Sequence, residues 1–209
     1  ELARKYDNIY AVAGVHPNSA SELEEDGLDW LRDIAKEKKV VAIGEIGLDF
    51  YYDNSPRDIQ RKWFKAQLQL AKELGLPVVI HTRDAAKETY DILKDAAADG
   101  KLKVLMHCYS GSAEMAVDYA KLGFYIALGG AVTFKNARVP REVASVVPLE
   151  NLMIETDCPY MTPEPFRGKR NEPKYVNLVA EKIAEIKGIT VEELAKATAD
   201  NARRFFRLP

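Results

Sequence analysis

Cysteine and histidine are scarce in this sequence, with two and three residues respectively among 209. So few cysteines exclude a disulfide scaffold. Because Cys108 and Cys158 each lie in an apolar segment, we expect buried thiols in a reducing, cytoplasmic compartment. No apolar run approaches the roughly 20 residues that a membrane-spanning helix needs, so no membrane partner is expected. The formal net charge is only −2, so any site for a polyanion must be local.

Six short segments rich in valine and isoleucine alternate with longer amphipathic ones. They are apolar on both faces, which is typical of buried parallel strands rather than half-exposed antiparallel ones. The predicted strands are 9–15, 40–46, 77–80, 103–106, 124–128 and 152–154. A strand followed by a helix, six times over, implies right-handed crossovers and a parallel sheet.

The intervening segments contain residues that are typical of helix starts and ends. Ser55 is the predicted N-cap of a long helix, Pro56 its first residue and Gly75 its C-terminal stop. Thr190 and Glu193 form a predicted capping box for the last helix, which ends near residue 206. The other predicted helices are 28–38, 84–98, 112–122, 140–146 and 173–187, with residues 1–5 as the end of another helix. No linker or composition shift divides the chain, so a single domain over 1–209 is predicted.

Residues directly after the strands indicate the architecture. A doubly wound nucleotide-binding sheet would show a glycine-rich turn after its first strand, and none is present. All three histidines directly follow strands, as His16, His81 and His107, while Glu45 and Asp157 lie in or at the end of two others. In a parallel (β/α) barrel these carboxyl ends meet at one mouth, where active sites of that fold lie. The pattern therefore favours a TIM-type barrel.

A lone histidine after a strand is more commonly a hydrogen-bonded structural residue than a ligand. The whole set favours a metal hydrolase instead. Glu45 lies between Ile43 and Ile46, and a carboxylate in an apolar setting needs a partner. A divalent cation supplies one, and neutral imidazoles with carboxylates suit zinc, manganese or a similar ion.

Six segments carry more specific motifs: GVHP at 14–17, GEIGLD at 44–49, PVVIHTRDA at 77–85, HCYSG at 107–111, ETDCPY at 155–160 and RGKRNEP at 167–173. In this order they resemble the TatD-type metal-dependent deoxyribonuclease family of amidohydrolase-like barrels. The resemblance covers nearly the whole chain, and the last two motifs together are highly specific.

The resemblance implies a two-metal phosphodiesterase that trims DNA, single-stranded or at an end, from the 3′ terminus with Mg²⁺, Mn²⁺ or Zn²⁺. Glu45 would bridge both ions, His81 and His107 would complete one, and Asp157 would bind the other. Asp157 would also accept the proton of the attacking water. His16 would lie near the scissile phosphate.

One family feature is absent. The family's first strand carries a His-x-His pair, and no such pair occurs in this sequence. Family order places the 9–15 strand third, so we expect an N-terminally truncated, incomplete barrel with about six of eight strands. We also expect the chain as given to bind one divalent ion better than two and to be nearly inactive.

The basic residues near these motifs have two possible interpretations each. Arg167, Lys169 and Arg170 form a loop cluster that either positions phosphates or is simply solvated. Arg83 either contacts substrate or pairs with a neighbouring acid, Asp84 or Asp49.

Glu155 lies on the same strand face as Asp157, and we expect it to orient a ligand rather than bind metal. The aromatic residues at 50–52 either stack on a splayed base or pack locally.

Three functions remain open from the sequence. The leading one is a metal-dependent deoxyribonuclease. The alternatives are an amidohydrolase-type enzyme acting on a small molecule, and a non-catalytic fragment or homologue that lacks the first-strand ligands. Metal ligands alone do not separate the two enzymes.

Overall fold

The computed structural model describes residues 1–24 and 26–209 and divides the chain into two compact units, 1–105 and 106–209. Strands and helices alternate in both. The elements of the first unit are α1 (Leu2–Lys5), β1 (Ala11–Ala13), a 3-10 helix (Pro17–Glu22), α2 (Gly27–Ile34), β2 (Val40–Asp49), α3 (Arg57–Leu74), β3 (Val78–Arg83) and α4 (Ala86–Ala96).

A short strand, β4 (Val104–Met106), contains the boundary between the two units. The second unit then continues with α5 (Ala113–Lys121), β5 (Tyr125–Leu128), a 3-10 helix (Gly130–Thr133), α6 (Arg138–Val146), a 3-10 helix (Leu149–Asn151), β6 (Leu152–Ile154), a 3-10 helix (Pro173–Tyr175), α7 (Val176–Lys187) and α8 (Val191–Phe206).

The predicted α/β class is confirmed, and the described residues contain all six predicted strands. In the first unit β2 pairs in parallel with both β1 and β3, with Gly47 opposite His81 and Asp49 opposite Arg83. In the second unit β5 pairs in parallel with β6. Most apolar residues of β2, β3, β5 and β6 are buried, as the continuous apolar runs predict, whereas Val12 of β1 is 41% exposed. A complete barrel of this type has eight strands.

The start of α3 corrects one sequence prediction. Ser55 does not cap the helix, whose N-cap is Pro56 with no side-chain cap hydrogen bond. The buried Ser55 hydroxyl instead accepts a hydrogen bond from the Ser21 N–H and donates to the Asn18 carbonyl. The capping pattern is a local signal, whereas this hydroxyl serves a tertiary contact.

Two other helix termini agree with the sequence prediction. The Thr190–Glu193 capping box is formed, and Gly75 ends α3 in the left-handed conformation. α2 stops four residues before its predicted end at 38, because Lys36 and Glu37 bond back three residues in tight turns.

Across the described residues, none of the helices combines the length and apolarity required to traverse a bilayer.

Two buried glutamines of α3 hold the backbone of the first unit's site. Gln67 accepts from the Val15 N–H at 2.7 Å and donates to the Val15 carbonyl at 3.1 Å. Gln60 does the same for Asp49, at 2.8 and 3.0 Å. Each amide side chain thus replaces a strand partner for the residue just before His16 and for the last residue of β2.

Gly47 is required by the close approach of β2 and β3. Its φ is +148°, and a Cβ placed there would lie 1.9 Å from the His81 carbonyl oxygen. Gly47→Ala should therefore lower the free energy of unfolding by about 2–5 kcal/mol, through backbone strain plus overpacking, as measured by urea denaturation.

Gly75→Ala is the matched control for this prediction. Gly75 has a φ of +66° with open space where its Cβ would lie, so only about 1 kcal/mol of left-handed strain is expected. Equal losses for the two variants would show that the contact with His81 is not the cause.

Candidate active site

The first unit brings His16, Glu45 and His81 together. One ligand atom from each lies within 4.8 Å of the other two, and the two imidazole rings meet edge to face with centroids 4.4 Å apart. His16 follows β1, whereas Glu45 and His81 lie on the paired strands β2 and β3. Two imidazoles and a carboxylate form a donor set that suits a divalent transition metal.

Asp49 orients His81. This carboxylate is fully buried, and its Oδ2 lies 2.9 Å from His81 Nε2. When Nε2 donates to Asp49, the lone pair of the neutral ring lies on Nδ1, and a carboxylate that accepts from one ring nitrogen is usual behind metal-binding histidines. The other oxygen, Oδ1, accepts from the N–H groups of Tyr51 at 3.1 Å and Tyr52 at 2.9 Å.

The hydrogen bonds to Asp49 decide its charge. Burial alone would raise its pKa, but the bonds from the Tyr52 N–H, from His81 and from the Tyr51 N–H outweigh burial, so the pKa of Asp49 is lowered. An ionised carboxylate behind His81 strengthens the ring as an electron donor. The sequence prediction missed this role of Asp49. The available signal was its position at the end of β2, four residues after Glu45.

His16 differs from His81 in what its Nδ1 does. This atom accepts a hydrogen bond from the Asn18 N–H at 3.2 Å, which caps the following 3-10 helix. An Nδ1 that accepts carries no proton, so the neutral ring has its proton on Nε2. His16 in this tautomer is a hydrogen-bond donor at Nε2 and suits an anionic oxygen better than a metal ion.

The second unit brings His107, Glu155 and Asp157 together, all with side chains less than one-third exposed. His107 Nδ1 lies 2.7 Å from Glu155 Oε2, and His107 Nε2 lies 3.6 Å from Asp157 Oδ1. The second distance is too long for a hydrogen bond. It is close to the roughly 3.4 Å that separates two ligands bound tetrahedrally to one cation at about 2.1 Å.

Glu155 therefore stands behind His107 as Asp49 stands behind His81. Its second oxygen, Oε1, is buried and has no hydrogen-bond partner among the described residues. Leaving such an oxygen unsatisfied costs free energy, which a polar or cationic occupant of the site would reduce.

Cys108 and Cys158 correct a further expectation, that both thiols are buried. Cys158 is exposed, and Cys108 Sγ lies 4.0 Å from Asp157 Oδ2. Cys108 and Asp157 both have left-handed backbones, with φ of +43° and +53°. At both residues the backbone departs from the extended conformation in which successive side chains alternate between the faces of a sheet.

Arg83 adopts neither of the acid pairs weighed from the sequence. Its guanidinium carbon lies 3.8 Å from the ring centroid of Tyr51 and 4.8 Å from that of Tyr52. The oxygens of Asp49 are occupied by His81 and by the two tyrosine N–H groups.

The basic loop of Arg167, Lys169 and Arg170 is exposed. The Arg167 guanidinium carbon lies 4.1 Å from the ring centroid of Phe134, which fixes part of the loop. Asn171 ties its end to the Asp157 segment by donating to the carbonyls of Thr156 and Tyr160, at 2.7 and 2.6 Å. The loop is therefore held in place in the second unit.

Comparison with known proteins points to one family. A family model described as "TatD related DNase" matches residues 1–207. The chain is 51% identical over 208 residues to the uncharacterized metal-dependent hydrolase YabD of Bacillus subtilis, covering 100% of this chain and 81% of that protein. It is 37% identical over 213 residues to the 3'-5' ssDNA/RNA exonuclease TatD of Salmonella typhimurium, covering 100% and 82%.

A solved structure agrees with these relatives. The crystal structure of YJJV, a TatD homologue from Escherichia coli K12, superposes with a TM-score of 0.92 at 32% identity, covering 100% of this chain and 80% of that one. The TIM-barrel-type fold predicted from the strand-end pattern is thereby confirmed.

Proposed function

This chain belongs to the TatD family of metal-dependent hydrolases, and we propose from that premise that it hydrolyses phosphodiester bonds at the 3′ end of single-stranded DNA. One observation carries the proposal. His81 and His107 each have a carboxylate, Asp49 and Glu155, at one ring nitrogen, which fixes the orientation of the imidazole. A second carboxylate lies near each imidazole: Glu45 offers an oxygen within 4.8 Å of a His81 ring nitrogen, and Asp157 Oδ1 lies 3.6 Å from His107 Nε2.

Each unit thus offers cation donors of its own, so we propose two divalent ions and measurable turnover, in place of the one ion and near inactivity expected from the missing His-x-His pair. Glu45 and His81 are the proposed donors of the first unit, and His107 and Asp157 those of the second. Mixed imidazole and carboxylate donors fit Mn²⁺ or Zn²⁺ better than Mg²⁺. A bound divalent cation supplies Lewis-acid stabilisation of the charge that develops on the phosphoryl oxygens.

Two side chains have proposed roles in proton handling. Asp157 keeps 29% of its side chain exposed and accepts the proton of the attacking water as general base. His16 donates its Nε2 proton as a hydrogen bond to a phosphoryl oxygen, consistent with the Nδ1 bond that fixes its tautomer.

Nucleic-acid affinity comes from local positive charge in this proposal, because the net charge of the chain is only −2. Arg167, Lys169 and Arg170 contact phosphates, so affinity falls with salt and carries no base preference. The exonuclease relative from Salmonella typhimurium supports single-stranded ends as the substrate. The proposed location is a reducing compartment such as the cytoplasm, because neither Cys108 nor Cys158 is in a disulfide.

The test is hydrolysis of a 5′-labelled single-stranded DNA by the chain before and after EDTA. Removing metal should abolish turnover, adding Mn²⁺, Zn²⁺ or Mg²⁺ should restore it, and products should shorten from the 3′ end. Asp157→Asn, purified identically, controls for contaminating nuclease. Cleavage that ignores EDTA contradicts the proposal, as does metal-dependent turnover of small amides or lactones with none of DNA. Metal binding without turnover of any substrate would favour a non-catalytic homologue.

A further inference from the structure

Two adjacent tyrosines project from the end of β2. Tyr51 and Tyr52 are 57% and 56% exposed, and their rings meet edge to face with centroids 5.0 Å apart. The Arg83 guanidinium covers one face of the Tyr51 ring at 3.8 Å. Because Tyr51 is still more than half exposed, its ring remains open to a second flat group.

The backbone beneath these rings is held firmly. The buried Asp49 carboxylate accepts from the N–H groups of both tyrosines. The Phe50 N–H donates to the Arg83 carbonyl at 2.9 Å, and Asp49 is paired with Arg83 in the sheet. The rings therefore stand on the paired ends of two strands, which reduces the entropy lost when they hold a ligand.

This surface lies beside the candidate metal donors of the first unit. His81 and Arg83 are two residues apart on β3 and so point to the same face, about 7 Å apart along the strand. The intervening Thr82 points the other way, where its hydroxyl lies 2.9 Å from that of Thr89 in α4. Asp49 connects the tyrosines to the metal donors directly. Its Oδ2 contacts His81 Nε2, and its Oδ1 accepts a hydrogen bond from the Tyr52 N–H.

We propose that Tyr51, Tyr52 and Arg83 form a stacking surface for the unpaired terminal base of a single-stranded DNA substrate, an inference that rests on the proposed function. Aromatic rings and guanidinium planes are the groups on which unpaired bases stack. The positive charge of Arg83 complements the phosphate next to that base. Exposed tyrosine and arginine also occur in protein interfaces, but their continuity with His81 favours a substrate that reaches the metal donors.

The test compares two short oligothymidylates labelled with 5′-fluorescein. One ends in 2-aminopurine and the other in an abasic nucleotide at the 3′ terminus. Both carry a phosphorothioate at the last linkage and are bound in Ca²⁺ to slow cleavage. Wild type should bind the base-containing strand about 5- to 100-fold more tightly, since one base–aromatic stack is worth about that factor. Stacking should also quench the 2-aminopurine fluorescence.

Substitutions in the stacking surface should lower the ratio of the affinities for the base-containing and abasic strands. The decrease should be larger when more of the planar stacking area is removed. Tyr51→Leu and Tyr52→Leu should bring it toward one, while Tyr51→Phe and Tyr52→Phe retain it. Arg83→Lys keeps the charge but loses the plane, so it should retain salt-dependent affinity and lose part of the ratio. Tyr6→Leu is the matched control, because Tyr6 is 44% exposed with Lys5 over its ring, and its ratio should equal that of wild type.

The outcomes separate this inference from the proposed function. A wild type that cleaves DNA with metal but binds both strands equally overturns the stacking surface alone. A wild type that shows the ratio and loses it in the leucine variants, yet cleaves no DNA, supports the surface and overturns the nuclease. A ratio unchanged in both leucine variants overturns the inference and leaves the surface to a protein partner.

Discussion

Replacing Asp157 by asparagine should lower kcat for DNA hydrolysis by about 10²- to 10⁴-fold, because an amide cannot accept the proton of the attacking water. The amide also binds a cation more weakly than a carboxylate does. Asn tolerates a left-handed backbone such as the φ of +53° at this position, so the variant should unfold at nearly the wild-type temperature. Steady-state kinetics on a 5′-labelled strand and a thermal melt measure the two effects.

Asp84→Asn is the control for this prediction. Asp84 has the same φ of +53° and is exposed, so the same substitution should change kcat by less than about twofold. A full loss in both variants would trace the effect to the backbone conformation rather than to the Asp157 carboxylate. Wild-type kcat in Asp157→Asn would exclude it as the general base.

Substitutions at His81 and Asp49 should weaken Mn²⁺ binding to a graded extent. His81→Ala removes a proposed donor and should raise Kd by more than about 100-fold. Asp49→Asn leaves the donor but loses the ionised group that orients it, so Kd should rise by about 10- to 100-fold. Isothermal titration of metal-free protein with Mn²⁺ gives the Kd values, and urea denaturation checks that each variant is folded.

The comparison needs a control for lost negative charge. Asp99→Asn removes a carboxylate that pairs with Lys72 at 2.8 Å in the same unit, and Mn²⁺ affinity should stay within about twofold of wild type. If Asp49→Asn matched Asp99→Asn, the bond from Asp49 to His81 would have no part in metal binding. A loss in Asp49→Asn that reached that of His81→Ala would indicate direct ligation or local unfolding instead.

Much of the fold could be predicted because its signals are local. Continuous apolar runs located all six strands, since a strand buried on both faces has no polar side to interrupt it. The Thr190 capping box was predictable for the same reason: both of its hydrogen bonds close within four residues. Ser55 shows where this ends. Its hydroxyl bonds to residues more than 30 positions away, and no local pattern distinguishes such a contact from a cap.

The candidate site was predictable in its residue types and less so in its contacts. Histidines after strands and acids at strand ends predicted one site at a common mouth, and the structure describes one cluster of these residues in each unit. The role of Asp49 was not predictable, because it arises from the pairing of β2 with β3, which places its carboxylate beside His81. The contact of Cys108 with Asp157 was not predictable either, because it depends on a left-handed backbone that no local sequence pattern indicates.

The two glutamines of α3 attach two segments of the candidate site to one helix. Gln60 and Gln67 are seven residues apart, two turns of one helix, so they lie on the same side of it. Gln60 hydrogen-bonds both the N–H and the carbonyl of Asp49, and Gln67 does the same for Val15. The segment before His16 and the end of β2, which carries Asp49, are therefore both hydrogen-bonded to α3. A displacement of α3 would therefore shift Val15 and Asp49 together. The spacing between the backbone before His16 and the carboxylate beside His81 would change less than if separate loops held them.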